Sequence, residues 1–176
     1  MAAKRLRKGQ CYRKLERAYT RKSRFRKGNY LKAIPQYKIV KFNMGNSKKE
    51  FEYRIDLVSK GALQIRQNAL EAARQVANRK LIKTLGPQEF YLMLRIYPHQ
   101  AQRENKIIAG NKGDRVQAGM GHPFGKIINM AAVVKEGKDL FTAFADERGL
   151  IHVKEAFRAC VMKLSSKFSV EITKLK

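Results

Sequence analysis

Acidic side chains are scarce beside basic ones in this 176-residue sequence: fourteen Asp and Glu stand against thirty-nine Lys and Arg, a formal charge of +25. The carboxylates sit mostly beside cations and no pair is placed for acid–base work, so Asp56 and Glu71 are expected to neutralise nearby Arg or Lys. The histidines, His99, His122 and His152, are too scattered to make a metal site with the cysteines. Cys11 and Cys160 lie far apart and form no disulfide framework; both are expected to be free thiols, Cys160 buried as a small apolar residue. Ser59, Ser165 and Ser166 have no nucleophile-elbow context. No apolar run reaches the roughly 18 residues of a membrane span, and no apolar segment follows the opening Met-Ala-Ala-Lys-Arg-Leu-Arg-Lys as it would in a signal peptide. The expectation is an intracellular protein that is not an enzyme, with no metal, no cofactor and no membrane partner.

What remains is charge on a foldable body. A hydrophobic content of 44% is normal for a globular chain, and the length suits one domain with a real core. A charge of +25 on so small a domain repels itself unless a polyanion neutralises it, which points to nucleic acid. The charge is concentrated in residues 1–34, where thirteen basic side chains face the single acid Glu16. Such a block reads as an extended basic arm that orders on nucleic acid. Its candidate RNA-binding residues are Arg5, Arg7, Lys8, Arg13, Lys14, Arg21, Lys22, Arg24, Arg26 and Lys27. Tyr12, Tyr19, Phe25 and Tyr30 are interleaved with them, and these rings either stack on unpaired bases or pin the arm to its own domain.

From Pro35 to the end the sequence reads as a single α+β domain, 35–176. Tyr37–Phe42 reads as a strand followed by turn material at Met44–Ser47, and Phe51–Val58 alternates as a half-buried strand. From Gly61 a helix of about 22 residues is expected, its buried face mainly alanine (Ala62, Ile65, Ala69, Ala72, Ala73, Val76, Ala77), until Gly86-Pro87 stops it. Arg66, Arg74, Arg79, Lys80 and Lys83 fall largely off that face and are candidates for a phosphate-facing stripe. Glu89–Tyr97 reads as a central strand; Ile127–Val134 and Leu140–Ala145 read as a hairpin. A second helix is striped by Val153, Phe157, Val161 and Leu164, and Phe168–Lys174 closes the domain as a strand. The class expected is an α+β two-layer sandwich, a mixed or antiparallel sheet with two helices on one face.

Between Tyr97 and Lys126 the pattern breaks. This stretch holds five of the twelve glycines and five basic residues against two acids, which suits a long flexible loop projecting towards nucleic acid. Gly119-Met-Gly121 with Gly125 misses the dinucleotide fingerprint, whose third glycine would fall at Phe124. Gly110-Asn-Lys-Gly113 echoes the clamp of KH domains, but Gly119, Gly121 and Pro123 do not suit the helix that should follow. Backbone N–H groups in such a loop can still approach a phosphate or base closely.

Several motifs together resemble one family. They are Cys11-Tyr12-Arg13, Lys22-Ser23-Arg24, Lys41–Asn46, Gln64–Arg74, Tyr97-Pro98-His99, Arg103–Lys106, and Asp114–Met120 followed by Phe124-Gly125-Lys126. In order and from about residue 7 onward, they are similar to archaeal large-subunit ribosomal protein ten-e, the counterpart of bacterial large-subunit protein sixteen. The resemblance implies a body bound to large-subunit ribosomal RNA among neighbouring ribosomal proteins, with no homo-oligomer. It also implies a loop directed towards tRNA near the peptidyl-transferase centre, carried by Arg103, Asn105, Lys106, Arg115, Gln117, Gly119, Met120, Phe124, Gly125 and Lys126. Lys8-Gly9-Gln10 and Gly121-His122-Pro123 depart from the family pattern. The rivals are a free RNA chaperone or translation factor and an RNA-modifying enzyme.

Overall fold

The computed structural model describes residues 13–15, 31, 34–103 and 127–175. Eight strands, two α-helices and a short 3-10 turn follow one another there: β1 (Asn43–Gly45), β2 (Tyr53–Ser59), β3 (Leu63–Arg66), α1 (Gln67–Leu85), β4 (Phe90–Leu94), β5 (Gln100–Arg103), β6 (Ile127–Val134), β7 (Asp139–Ala145), the turn Glu147–Gly149, α2 (Leu150–Val161) and β8 (Phe168–Lys174). They form two antiparallel sheets. One has the order β1-β4-β7-β2-β8 and the other β3-β6-β5.

The alternation of β2 is what seats it. Ile55 and Leu57 are fully buried and lie opposite Ala143 and Phe141 of β7, so one face of the large sheet is apolar. Phe90, Leu92 and Leu94 of β4 continue that face. Both helices join the same core: Leu70, Ala73, Ala77 and Leu81 from α1, and Val153, Ala156, Phe157 and Cys160 from α2. Alanine at 73, 77 and 156 lets the two helices pack closely against each other. Gly149 lets the turn before α2 approach the end of β7, because a Cβ there would lie 2.8 Å from the Ala145 Cβ. The opposite face of the large sheet carries the polar member of each pair: Thr142 Oγ1 donates to Asp56 at 2.6 Å, and Arg54 Nε lies 2.8 Å from the same carboxylate.

The expected α+β sandwich is present, with five local differences. Tyr37–Phe42 is not a strand. Val40 is 82% exposed, and the segment finds a single ladder-like bond, Leu94 N–H to the Phe42 carbonyl. Pairing starts instead at Asn43, inside the expected turn, where Gly45 at φ +86° lies so close to Phe90 that a Cβ would strike its carbonyl oxygen. The helix starts at Gln67 rather than near Gly61, because Leu63–Arg66 pairs with Ala131–Val134, and sheet hydrogen bonds override the helical spacing of Ala62 and Ile65. β4 ends at Leu94, short of Tyr97. The opening of the expected loop is the strand β5, paired with β6. Finally, β6 and β7 do not form a hairpin with each other. The turn at Gly137 sends the chain from the small sheet into the large one, where β7 lies between β4 and β2. No described helix is long and apolar enough to cross a membrane.

Candidate nucleic-acid interface

The described part of the arm is tied to the small sheet by backbone. Gln64 of β3 donates its N–H to the Arg13 carbonyl at 2.9 Å and its Nε2 to the Lys14 carbonyl at 2.6 Å. The side chains of Arg13 and Lys14 are left exposed. Arg66 closes the same strand and caps α1. The far end of the arm is held by burial: Leu31 packs with Ala101 of β5 and Met130 of β6, and Ile34, Tyr37 and Ile127 lie around them.

The helix cations divide into two groups. Arg74 is bound through Nε and Nη2 to Glu71 and rests its third nitrogen, Nη1, 3.1 Å from the Met44 sulfur, with its side chain 13% exposed. The guanidinium bonds hold the Glu71 carboxyl below the usual range, and Glu71 in turn raises Arg74. Its charge is matched within the protein, so of these helix cations it is the least available to a phosphate. Lys80 lies 3.0 Å from Glu155 of α2 on a more open surface. Arg79 and Lys83 are exposed. Together with Arg74, Gln75, Asn78 and Ile82 they line a shallow groove of about 450 Å³ along α1. Gln75 and Asn78 are additions to the helix cations named from the sequence; the signal for Gln75 was its spacing, since positions 75, 79 and 83 follow one another at i+4.

The base of the expected loop is rigid where it is described. Gln67 Nε2 donates to Asn129 Oδ1 at 2.9 Å, Asn129 Nδ2 to Gln102 Oε1 at 3.3 Å, and Lys38 N–H to Gln67 Oε1 at 3.1 Å. This amide chain joins the first turn of α1 to β5 and β6, the strands on either side of the loop. Arg103, at the end of β5, is half-buried and engaged in the protein. The remaining arm positions, Arg5, Arg7, Lys8, Arg21, Lys22, Arg24, Arg26 and Lys27, and the loop positions Asn105, Lys106, Arg115, Gln117, Gly119, Met120, Phe124, Gly125 and Lys126, lie outside the described residues. So do the arm rings and Cys11.

Nothing described here is arranged for catalysis. Cys160 is enclosed by the core, and burial pushes its thiol up to about 12, so it is no thiolate nucleophile at neutral pH. Among the described residues no three His, Cys, Asp or Glu are grouped to hold a metal.

The comparisons agree with a ribosomal reading. Residues 16–171 match the profile of the family described as ribosomal protein L16p/L10e. The chain is 40% identical to large ribosomal subunit protein uL16 of Methanococcus maripaludis strain C7 over 170 residues, 96% of this chain and 95% of that protein. It is 43% identical to the protein of the same name from Staphylothermus marinus, over 90% of this chain and 88% of the relative. With that of Haloarcula marismortui it shares 40% identity, over 92% and 90% of the two chains. Matched over nearly its whole length, the chain belongs to the ribosomal protein L16p/L10e family and is a non-enzymatic constituent of the large subunit of the cytoplasmic ribosome.

Proposed function

We propose that this protein binds large-subunit ribosomal RNA through its arm and the outer face of α1, and supports tRNA placement with the segment at 104–126, between β5 and β6. The observation that carries the reading is the docking of the arm on β3. Main-chain bonds to Gln64 hold Arg13 and Lys14 in place while their charged ends point into solvent. A segment fixed by its backbone presents its cations in a set register, as a phosphate backbone requires. The exposed Arg79 and Lys83 on the α1 groove extend that basic surface. The loop's two flanking strands are locked by the Gln67–Asn129–Gln102 chain, which gives a projecting segment a stiff base.

Binding of the full chain to large-subunit ribosomal RNA should weaken steeply as salt rises, because each neutralised phosphate releases counterion. A binding constant flat with salt contradicts the reading. Deleting Gly110–Gly119 leaves every described member of both core clusters in place, so the shortened protein should fold and still join large subunits while tRNA placement suffers. A shortened protein that supports tRNA binding as well as the intact one would remove the tRNA half of the proposal.

A further inference from the structure

Three aromatic rings meet at the surface where the chain leaves β4. Tyr97 lies 5.2 Å from Tyr37, tilted by 48°, and 5.8 Å from Phe42, near-parallel at 27°. Despite both neighbours, Tyr97 is 50% exposed. Its setting explains why. From 95 to 99 the chain lies outside the strands and exposure alternates: Arg95, Tyr97 and His99 are exposed while Ile96 and Pro98 are buried. His99 Nδ1 lies 3.0 Å from the Tyr97 carbonyl. Lys38 and Lys41, each next to one of the supporting rings, are exposed as well. Neither 34–49 nor 90–103 contains an acidic residue.

An exposed ring braced by two others loses little freedom when something lies on it. Cations without acids in the two segments that build it favour an anionic chain over an apolar protein surface. We propose that Tyr97, braced by Tyr37 and Phe42, is a stacking platform for an unpaired base of ribosomal RNA, with Lys38, Lys41 and Arg95 taking the phosphates on either side. This rests on the RNA-binding reading above and specifies one contact within it. Single-stranded bases stack on aromatic side chains in a sequence-tolerant way, and a duplex offers no free base to do so.

The sequence contains no tryptophan, so Tyr97→Trp introduces a single indole that reports on this position. The full-length variant is titrated with a single-stranded ribo-oligonucleotide and with the same strand in a duplex. The expected result is strong quenching by the single strand and little by the duplex. In parallel, Tyr97→Phe should bind the single strand as the parent does, while Tyr97→Leu, which keeps bulk between Tyr37 and Phe42, should lose about 5- to 150-fold. Tyr97→Leu binding like the parent, with an unchanged melting temperature, overturns the platform, as does equal quenching by the duplex. Quenching by purified large-subunit proteins but not by RNA assigns the patch to a protein partner and overturns it too. If the parent protein fails to bind large-subunit RNA at all, the functional reading falls; if the parent binds with the expected salt dependence and only the Tyr97 series is silent, the platform alone falls.

Discussion

Gln67 and Asn129, 62 positions apart in sequence, share a buried hydrogen bond of 2.9 Å that joins the first residue of α1 to the strand leaving the loop. Each is 1% exposed, and Asn129 passes the chain on to Gln102. Buried amides held this way are costly to leave unpaired. Asn129→Leu strips an acceptor from Gln67 and a donor from Gln102, and should destabilise the protein by about 1–3 kcal/mol, read as a lower urea midpoint with unchanged slope. An unchanged midpoint would mean that the amide chain does not hold the loop's base.

The Glu71–Arg74 pair makes stability depend on pH. Bonding to Arg74 lowers the Glu71 carboxyl from its ordinary value of 4.5, so the native state binds this proton less readily than the unfolded chain does. The resulting stabilisation is complete above the ordinary value and is lost as pH falls below it through the native one. At pH 7 Glu71→Gln should cost about 1 kcal/mol, and the gap from the parent should close in acid. A gap that persists at pH 2 would show that packing, not charge, was lost.

Gly45 is required twice over, by its φ of +86° and by the Phe90 carbonyl that any Cβ would strike. Gly45→Ala should therefore destabilise by about 1–3 kcal/mol and loosen the β1–β4 edge. Hydrogen exchange at Asn46, whose N–H donates to the Phe90 carbonyl at 2.9 Å, reports that edge directly. Exchange no faster than in the parent would contradict the close approach.

Arg79 and Lys83 are surface positions on the α1 groove. Each alanine substitution should leave the melting transition nearly unchanged yet reduce the slope of log K against log salt for ribosomal RNA by about 1. Arg74→Ala should behave the other way, costing stability through Glu71 and Met44 with little change in slope. A reversed pattern would move the RNA surface to the Glu71 side of the helix.

Cys160 gives a further test. In a Cys11→Ser background its buried thiol should react with an aromatic disulfide reagent only as fast as the protein unfolds, whatever the pH between 7 and 9. Reaction that rises with pH in the folded state would mean an accessible thiol.

Much of this was legible in residue order. The alternation at 51–58, the apolar run at 127–134 and the closing 168–174 each became a strand at or within two residues of the expected bounds, and the stripe of Val153 and Phe157 marks the buried face of α2. The neutralising of Asp56 and Glu71 by nearby cations, Arg54 and Arg74, was equally readable. Gln100–Arg103 was not. Gln-Ala-Gln-Arg has no apolar alternation, and it is a strand only because β6 pairs with it and the Gln102 side-chain carbonyl accepts from Asn129 across that pairing.

Composition and local pattern therefore determined what kind of molecule this is: a basic α+β protein whose cations exceed anything its own acids can neutralise. Tertiary structure decided which of those cations remain free to meet a partner. Arg74 and Arg79 are both off the core face of one helix, yet one is bonded to Glu71 over Met44 while the other stands exposed. It decided, too, that β6 and β7 part into different sheets and that Tyr37, Phe42 and Tyr97 meet. Those outcomes depend on long-range contacts, whose partners are brought together by packing and not by spacing along the chain.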